Sequence, residues 1–185
     1  MCIRDSLYKK GNTSDLANYR PISLLNTTYK LFAAIVQERL STGINAHMHN
    51  TQYGFRKAKS TQQAIHLIRR VLEEGESTTN HIIIVLLDWE KAFDKLTREG
   101  LFTALERANL PDKMIKVIKA IYENPEFQVE IEGTASEWKK QETGIRQGCP
   151  LSPYLFILYM TVMFADVKEA LGGKNGKIQS HRSHL

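Results

Sequence analysis

The stretch His81–Asp94, HIIIVLLDWEKAFD, decides how this chain is read. An apolar run from Ile82 to Leu87 continues without interruption and ends on the carboxylate of Asp88. Unalternated Ile, Val and Leu suit a strand covered on both faces. An acid at the end of such a strand is costly unless something pairs with it. Asp88 is therefore expected where a rigid sheet meets a cleft, a position suited to a metal-binding carboxylate. Phe93 and Asp94 follow on the turn that leaves the strand. The same pattern also describes an Asp that caps the next helix, so this stretch alone leaves both readings open.

Moving outward, the downstream pattern is helical. A helix is expected from about Arg98 to Ala108, and a second starts at Pro111 with Met114, Ile115, Ile118, Ile121 and Tyr122 turned inward. Asn124-Pro125 ends it. Phe127, Val129 and Ile131 alternate as a strand with one buried face, and Gly133–Ser136 turn the chain into a returning strand that carries Trp138. Gly144–Pro153, GIRQGCPLSP, is a glycine-rich turn. Gly148 allows close approach to the backbone, and the neutral amide of Gln147 suits a hydrogen bond to a base or sugar. Ser152-Pro153 then opens a long apolar helix to Leu171.

Upstream, residues 1–17 are polar and read as a flexible entry. Asn18–Leu25, NYRPISLL, is pinned by Pro21, which makes Arg20 extended; its guanidinium could fork onto a phosphate. Thr27 to Ile44 is a helix with Phe32, Ile35, Val36, Leu40 and Ile44 on one face, stopped by Gly43 or Asn45. In Gln52–Thr61, QYGFRKAKST, the cations Arg56, Lys57 and Lys59 alternate with Tyr53 and Phe55 around Gly54. Rings stack on bases while cations hold phosphates; a solvated basic loop has the same composition. Ser60 and Gln63 form a capping box for a helix with the stripe Ala64, Ile65, Ile68, Val71 and Leu72. Helices, a buried strand, two helices and a hairpin together make a layered α/β arrangement with a mixed sheet.

Composition sets outer bounds. The chain has 185 residues, 42% hydrophobic and 24% charged, an ordinary globular balance. Its two cysteines, Cys2 and Cys149, supply neither a disulfide framework nor metal-ligand spacing, and a reducing intracellular setting, nuclear or cytoplasmic, is expected. The apolar segment Tyr154–Ala165 is shorter than the roughly 20 residues a bilayer needs. MCIRDS lacks the apolar core of a signal peptide. The net charge is +5, and all of the excess lies within residues 1–79. A basic lobe joined to a neutral one suits a polyanion lying across the first and processed at the second.

The segments NYRPISLL, QYGFRKAKST, LLDWEKAFDKL and GIRQGCPLSPYLF, in that order, resemble the reverse transcriptase domain of LINE-type (non-long-terminal-repeat) retrotransposons, with group II intron reverse transcriptases the next most similar. Four motifs in sequence are far more specific than any one. The resemblance spans about residues 8 to 170 and implies an α/β (α+β) partial right-hand polymerase fold. On that reading residues 1–17 are a flexible N-terminal segment, 18–79 fingers-like, 80–171 an incomplete palm and 172–185 a disordered tail. It also implies RNA-directed DNA synthesis by two-metal nucleotidyl transfer. The expected ions are Mg2+, with Mn2+ as the alternative; the expected partners are an RNA template, a DNA primer and deoxynucleoside triphosphates.

By the same resemblance, Asp88 is the catalytic metal ligand and Phe93 an aromatic gate that crowds a ribose 2′-hydroxyl. Asp94 is a supporting acid. Gln147, Gly148, Arg20 and Arg56 face the nucleotide, and Tyr53, Phe55, Lys57 and Lys59 face the template. Cys149 is a packed loop residue. The family's second acidic motif, an aromatic-Ala-Asp-Asp hairpin, has no counterpart, because the sequence holds no Asp-Asp pair. Phe164-Ala165-Asp166-Val167 is expected inside the final helix instead. The chain is therefore expected to be truncated and inactive alone: a polymerase fragment, or alternatively a non-catalytic nucleic-acid-binding remnant of a retroelement. An RNA-dependent RNA polymerase is disfavoured by Phe93.

Overall fold

The computed structural model describes residues 3–45, 48–78, 81–131 and 133–172. Two antiparallel strands open the chain, β1 (Ile3–Tyr8) and β2 (Tyr19–Leu24), joined through a short 3-10 turn at Leu16–Asn18. Helices α1 (Thr27–Ile44) and α2 (Thr61–Ser77) follow, then the short α3 (Ala92–Lys95), α4 (Arg98–Arg107) and α5 (Asp112–Ile121). Strand β3 (Glu126–Ile131) turns into β4 (Thr134–Ala135) and β5 (Lys139–Lys140), and α6 (Ser152–Gly172) closes the described chain. The sheet order is β2-β1-β3-β4, with β5 also on β3. Because β1 is antiparallel to β2 but parallel to β3, the sheet is mixed, and the architecture is α/β.

Local chemistry sets the helix ends. The carboxamide oxygen of Asn26 accepts from the N–H of Tyr29 at the start of α1, and Asn45 caps its end. Ser60 and Gln63 make the reciprocal capping box of α2. The hydroxyl of Thr97 accepts from Gly100 N–H to open α4.

Packing then joins α1, α4, α5 and α6 into one core, with Leu40, Ile44, Leu101, Leu105, Ile118, Leu155 and Leu158 almost wholly buried. Each such side chain contributes about 1.5–3 kcal/mol on burial. The guanidinium of Arg107 on α4 holds the carboxylate of Asp166 on α6 through two hydrogen bonds, one of them 2.7 Å from Nη1 to Oδ2. Asp166 is thus an ion-pair residue in mid-helix, as its spacing indicated.

Four expectations need correction. Ile3–Tyr8 is not an irregular entry; it forms β1, because its backbone finds a partner on each side. The run Ile82–Leu87 is not a buried strand: residues 81–89 join no ladder, and Ile83, Leu86 and Leu87 are 89%, 85% and 78% exposed. Apolar composition states that a segment gains by being covered, but a strand exists only where another strand supplies hydrogen bonds; no described strand does so here. The α2 stripe Ile65, Ile68, Val71 and Leu72 is likewise exposed, as are Phe32 and Ile35 on α1. Trp138 lies between β4 and β5, not within a strand. The expected tail falls outside the described residues, apart from Gly172.

Candidate nucleotide and template site

The glycine-rich loop lies directly against the turn after Asp88. Ile145 N–H donates to Phe93 O and Gly144 N–H to Leu96 O, each at 2.8 Å. Gly144 has φ +83°, and a Cβ there would sit 2.8 Å from Phe93 O and 2.9 Å from Asp94 Cα. Only glycine fits that approach. Three residues on, Ser23 N–H donates to Gln147 O at 2.7 Å, and a Cβ on Gly148 (φ +102°) would meet Ser23 O at 2.9 Å. The loop is therefore pinned between α3 and β2.

Side chains converge at the same place. Gln147 Nε2 donates to both carboxylate oxygens of Asp94, at 3.0 and 3.2 Å. The Phe93 ring stacks on Phe156 of α6, and Phe55 meets Phe93 edge-on with centroids 6.5 Å apart. Edge-to-face and offset-stacked pairs are the favoured aromatic geometries. Segments containing Ser23, Phe55, Phe93, Asp94 and Gln147, far apart in sequence, thus form one cluster.

The remaining candidates are placed as follows. Gly148 is exposed, and Arg20 is exposed on β2 opposite Leu7. Lys59 Nζ lies 5.3 Å from the centre of the Tyr53 ring, a cation–π distance. Phe55 is 55% exposed with φ +56°, and Lys57 is exposed beside it. Arg56 is engaged within the chain: Nε donates to Asn45 Oδ1, Nη2 to Asn45 O, and Nη1 to the carbonyls of His49 and Gln52. It fastens the loop to the end of α1. Asp88 is exposed, and none of these hydrogen bonds or ring contacts involves it. Nearby Glu90 forms an ion pair with Lys95, whose ammonium holds the glutamate below the usual carboxylate range.

Sequence reading missed Arg146, which is buried. Its guanidinium carbon lies 5.2 and 5.7 Å from the ring centres of Tyr29 and Tyr122. Burial is the main cause that raises both phenols, Tyr122 to about 12. Cys149 is also buried, with its sulfur 3.6 Å from the Tyr29 hydroxyl. An arginine among glycines reads as exposed, and nothing local shows that two distant tyrosines enclose it.

Among the described residues no group of three or more His, Cys, Asp or Glu side chains could hold a metal ion. Asp94 is occupied by Gln147, and Glu90 by Lys95. The described acids therefore do not fit a two-metal centre by themselves, since adjacent divalent ions need several carboxylates to offset their repulsion.

A profile of the reverse transcriptase (RNA-dependent DNA polymerase) family matches residues 8–181, and the chain belongs to that family. Its relatives are non-long-terminal-repeat retrotransposon proteins. The chain is 29% identical over 164 residues to the retrovirus-related Pol polyprotein of type-1 retrotransposable element R2 from Nasonia vitripennis, covering 89% of this chain and 16% of the relative. It is 29% identical over 167 residues to the transposon TX1 149 kDa protein of Xenopus laevis, with coverage of 90% and 13%. It is 28% identical over 160 residues to the RNA-directed DNA polymerase of the mobile element jockey from Drosophila melanogaster, with coverage of 85% and 17%. The chain thus spans about a sixth of these relatives' length or less. No helix among the described residues is long and apolar enough to cross a membrane.

Proposed function

We propose that this chain supplies the fingers and part of the palm of a retrotransposon RNA-directed DNA polymerase. Residues 18–79 are the fingers-like region and 80–171 the palm portion. The observation that carries this reading is the chain of contacts linking the four motif segments: Ser23 holds the Gln147 carbonyl, the Gln147 amide holds Asp94, and Phe93, next to Asp94 in the chain, meets Phe55. Family membership supports the same assignment.

On this reading the Gln147–Gly148 loop forms the floor beneath an incoming deoxynucleoside triphosphate. Phe93 screens the sugar, and Asp94 sets the orientation of the Gln147 amide. Tyr53, Phe55, Lys57 and Lys59 run along the RNA template, with aromatic faces for bases and ammonium groups for phosphates. Arg20 faces the triphosphate. Arg56 acts through the loop it fastens. Asp88 would supply one hard oxygen ligand to Mg2+ or Mn2+, which would polarise phosphoryl oxygens. The remaining ligands would come from elsewhere in a longer polypeptide.

The test is primer extension on an RNA template with Mg2+. The 185-residue chain alone is expected to bind primer–template without extending it. Grafted in place of the matching segment of the R2 protein, it is expected to extend, and Asp88→Asn to abolish extension. Full-length cDNA from the isolated chain, or an active Asp88→Asn graft, would overturn the reading. The second reading, a nucleic-acid-binding remnant without chemistry, is favoured by the lack of an acidic cluster among the described residues. It predicts an inactive graft that still binds RNA with a salt-dependent affinity.

A further inference from the structure

A cleft of about 550 Å3 opens between the start of α1 and the end of α5, and Arg146 lines it. It shares no lining residue with the cluster around Phe93, Asp94 and Gln147. Arg146 is only 8% exposed. Its guanidinium carbon lies over the rings of Tyr29 and Tyr122, and Nη2 donates one hydrogen bond, to Ile121 O at 3.3 Å. A guanidinium has five N–H donors, and no carboxylate forms a salt bridge with this one among the described residues. Burying a cation without an anion is costly, and ring contacts recover only part of that cost.

Two further features give the missing anion a character. Asn26, the N-cap of the 18-residue α1, lines the same cleft, so the positive end of a long helix borders it. Leu25, Val117 and Ile121 supply apolar wall, whereas Glu123 and Glu126 stand exposed at the rim. Two rim carboxylates repel a multiply charged phosphate more than a single carboxylate. We propose that this cleft binds a small organic acid, with one carboxylate edge-on to Arg146 and an apolar body along the wall between α1 and α5. The inference is independent of the polymerase reading.

Isothermal titration of the 185-residue chain with 4-phenylbutyrate tests it. The expected result is one saturable site, with 4-phenylbutyramide and inorganic phosphate each at least tenfold weaker. Ala120→Trp, at an exposed position lining the cleft, is expected to weaken phenylbutyrate at least tenfold with an unchanged circular dichroism spectrum. Arg146→Gln is expected to abolish binding. No saturation up to about 10 mM, amide or phosphate bound as tightly as the acid, or a folded Ala120→Trp chain of unaltered affinity would each overturn the proposal. The comparison of acid with amide needs no variant, so it decides even where a substitution impairs folding.

Discussion

The ring of Phe93 lies stacked on that of Phe156, with centroids 5.1 Å apart and planes 18° from parallel. One ring follows the apolar run and the other belongs to α6, so a side chain outside the cluster's hydrogen bonds fixes the proposed gate. Phe156→Ala is expected to lower stability by about 1–3 kcal/mol, partial burial reducing the usual cost of such a truncation. In the active graft it should also raise ribonucleotide incorporation, though less than Phe93→Val. Single-nucleotide extension with ribo- and deoxynucleotides measures both; unchanged selectivity in Phe156→Ala would dissociate the stack from the gate.

Gln147→Glu places a second carboxylate against Asp94, where an amide now donates to both of its oxygens. The like charges are expected to cost about 1–3 kcal/mol at neutral pH. Gln147→Ala removes the donor without adding repulsion and should cost less. Urea denaturation distinguishes them, because added salt should screen part of the Glu variant's loss and leave that of the Ala variant unchanged.

Gly144→Ala combines a positive φ with a backbone collision against Phe93 and Asp94. A loss of about 2 kcal/mol or more is expected, from strain and clash together. A thermal unfolding midpoint within a degree or so of the parent chain would mean that the loop does not lie on α3 as described.

Tyr122 gives the protein an alkaline limit. Burial favours its neutral phenol and raises its pKa to about 12, although the bond with Ser152 acts the other way. An unfolded tyrosine ionises near pH 10. The stabilisation is therefore complete below about pH 10 and is lost as pH rises toward 12. Tyr122→Phe should flatten that decline, as read from denaturation midpoints between neutral and alkaline pH.

Ile83, Val85, Leu86 and Leu87 expose an uncharged β-prone run to solvent. Such segments pair with copies of themselves. Val85→Lys with Leu87→Lys is expected to suppress concentration-dependent light scattering and to leave the thermal midpoint nearly unchanged. A large fall in the midpoint would mean that the run is covered within the folded chain.

Elements whose instructions are local were legible from the residues alone. Asn45, the Ser60–Gln63 box and Asn124-Pro125 mark ends that residues within a turn of the backbone determine, and α1 runs over Thr27–Ile44 as read; the Asn26 cap at its start was not read from the sequence. The placement of Asp166 inside α6 followed from helical spacing. What failed was partnership at a distance. Ile82–Leu87 has strand composition but no ladder, whereas polar Ile3–Tyr8 has a ladder on each side. Arg56 read as a free cation, yet carbonyls from Asn45, His49 and Gln52 occupy it. Phe93, Asp94 and Gln147 were singled out one by one, but their mutual contacts depend on a loop closure that no local pattern encodes.

The hydrogen bond from Ser23 to Gln147 has a kinetic corollary. A ribosome must release almost the whole described polypeptide before those two residues can meet, whereas the capped helices can form as soon as they emerge. Contacts of such long sequence separation form slowly, so the motif junction should be the last part of the molecule to acquire protection from hydrogen exchange.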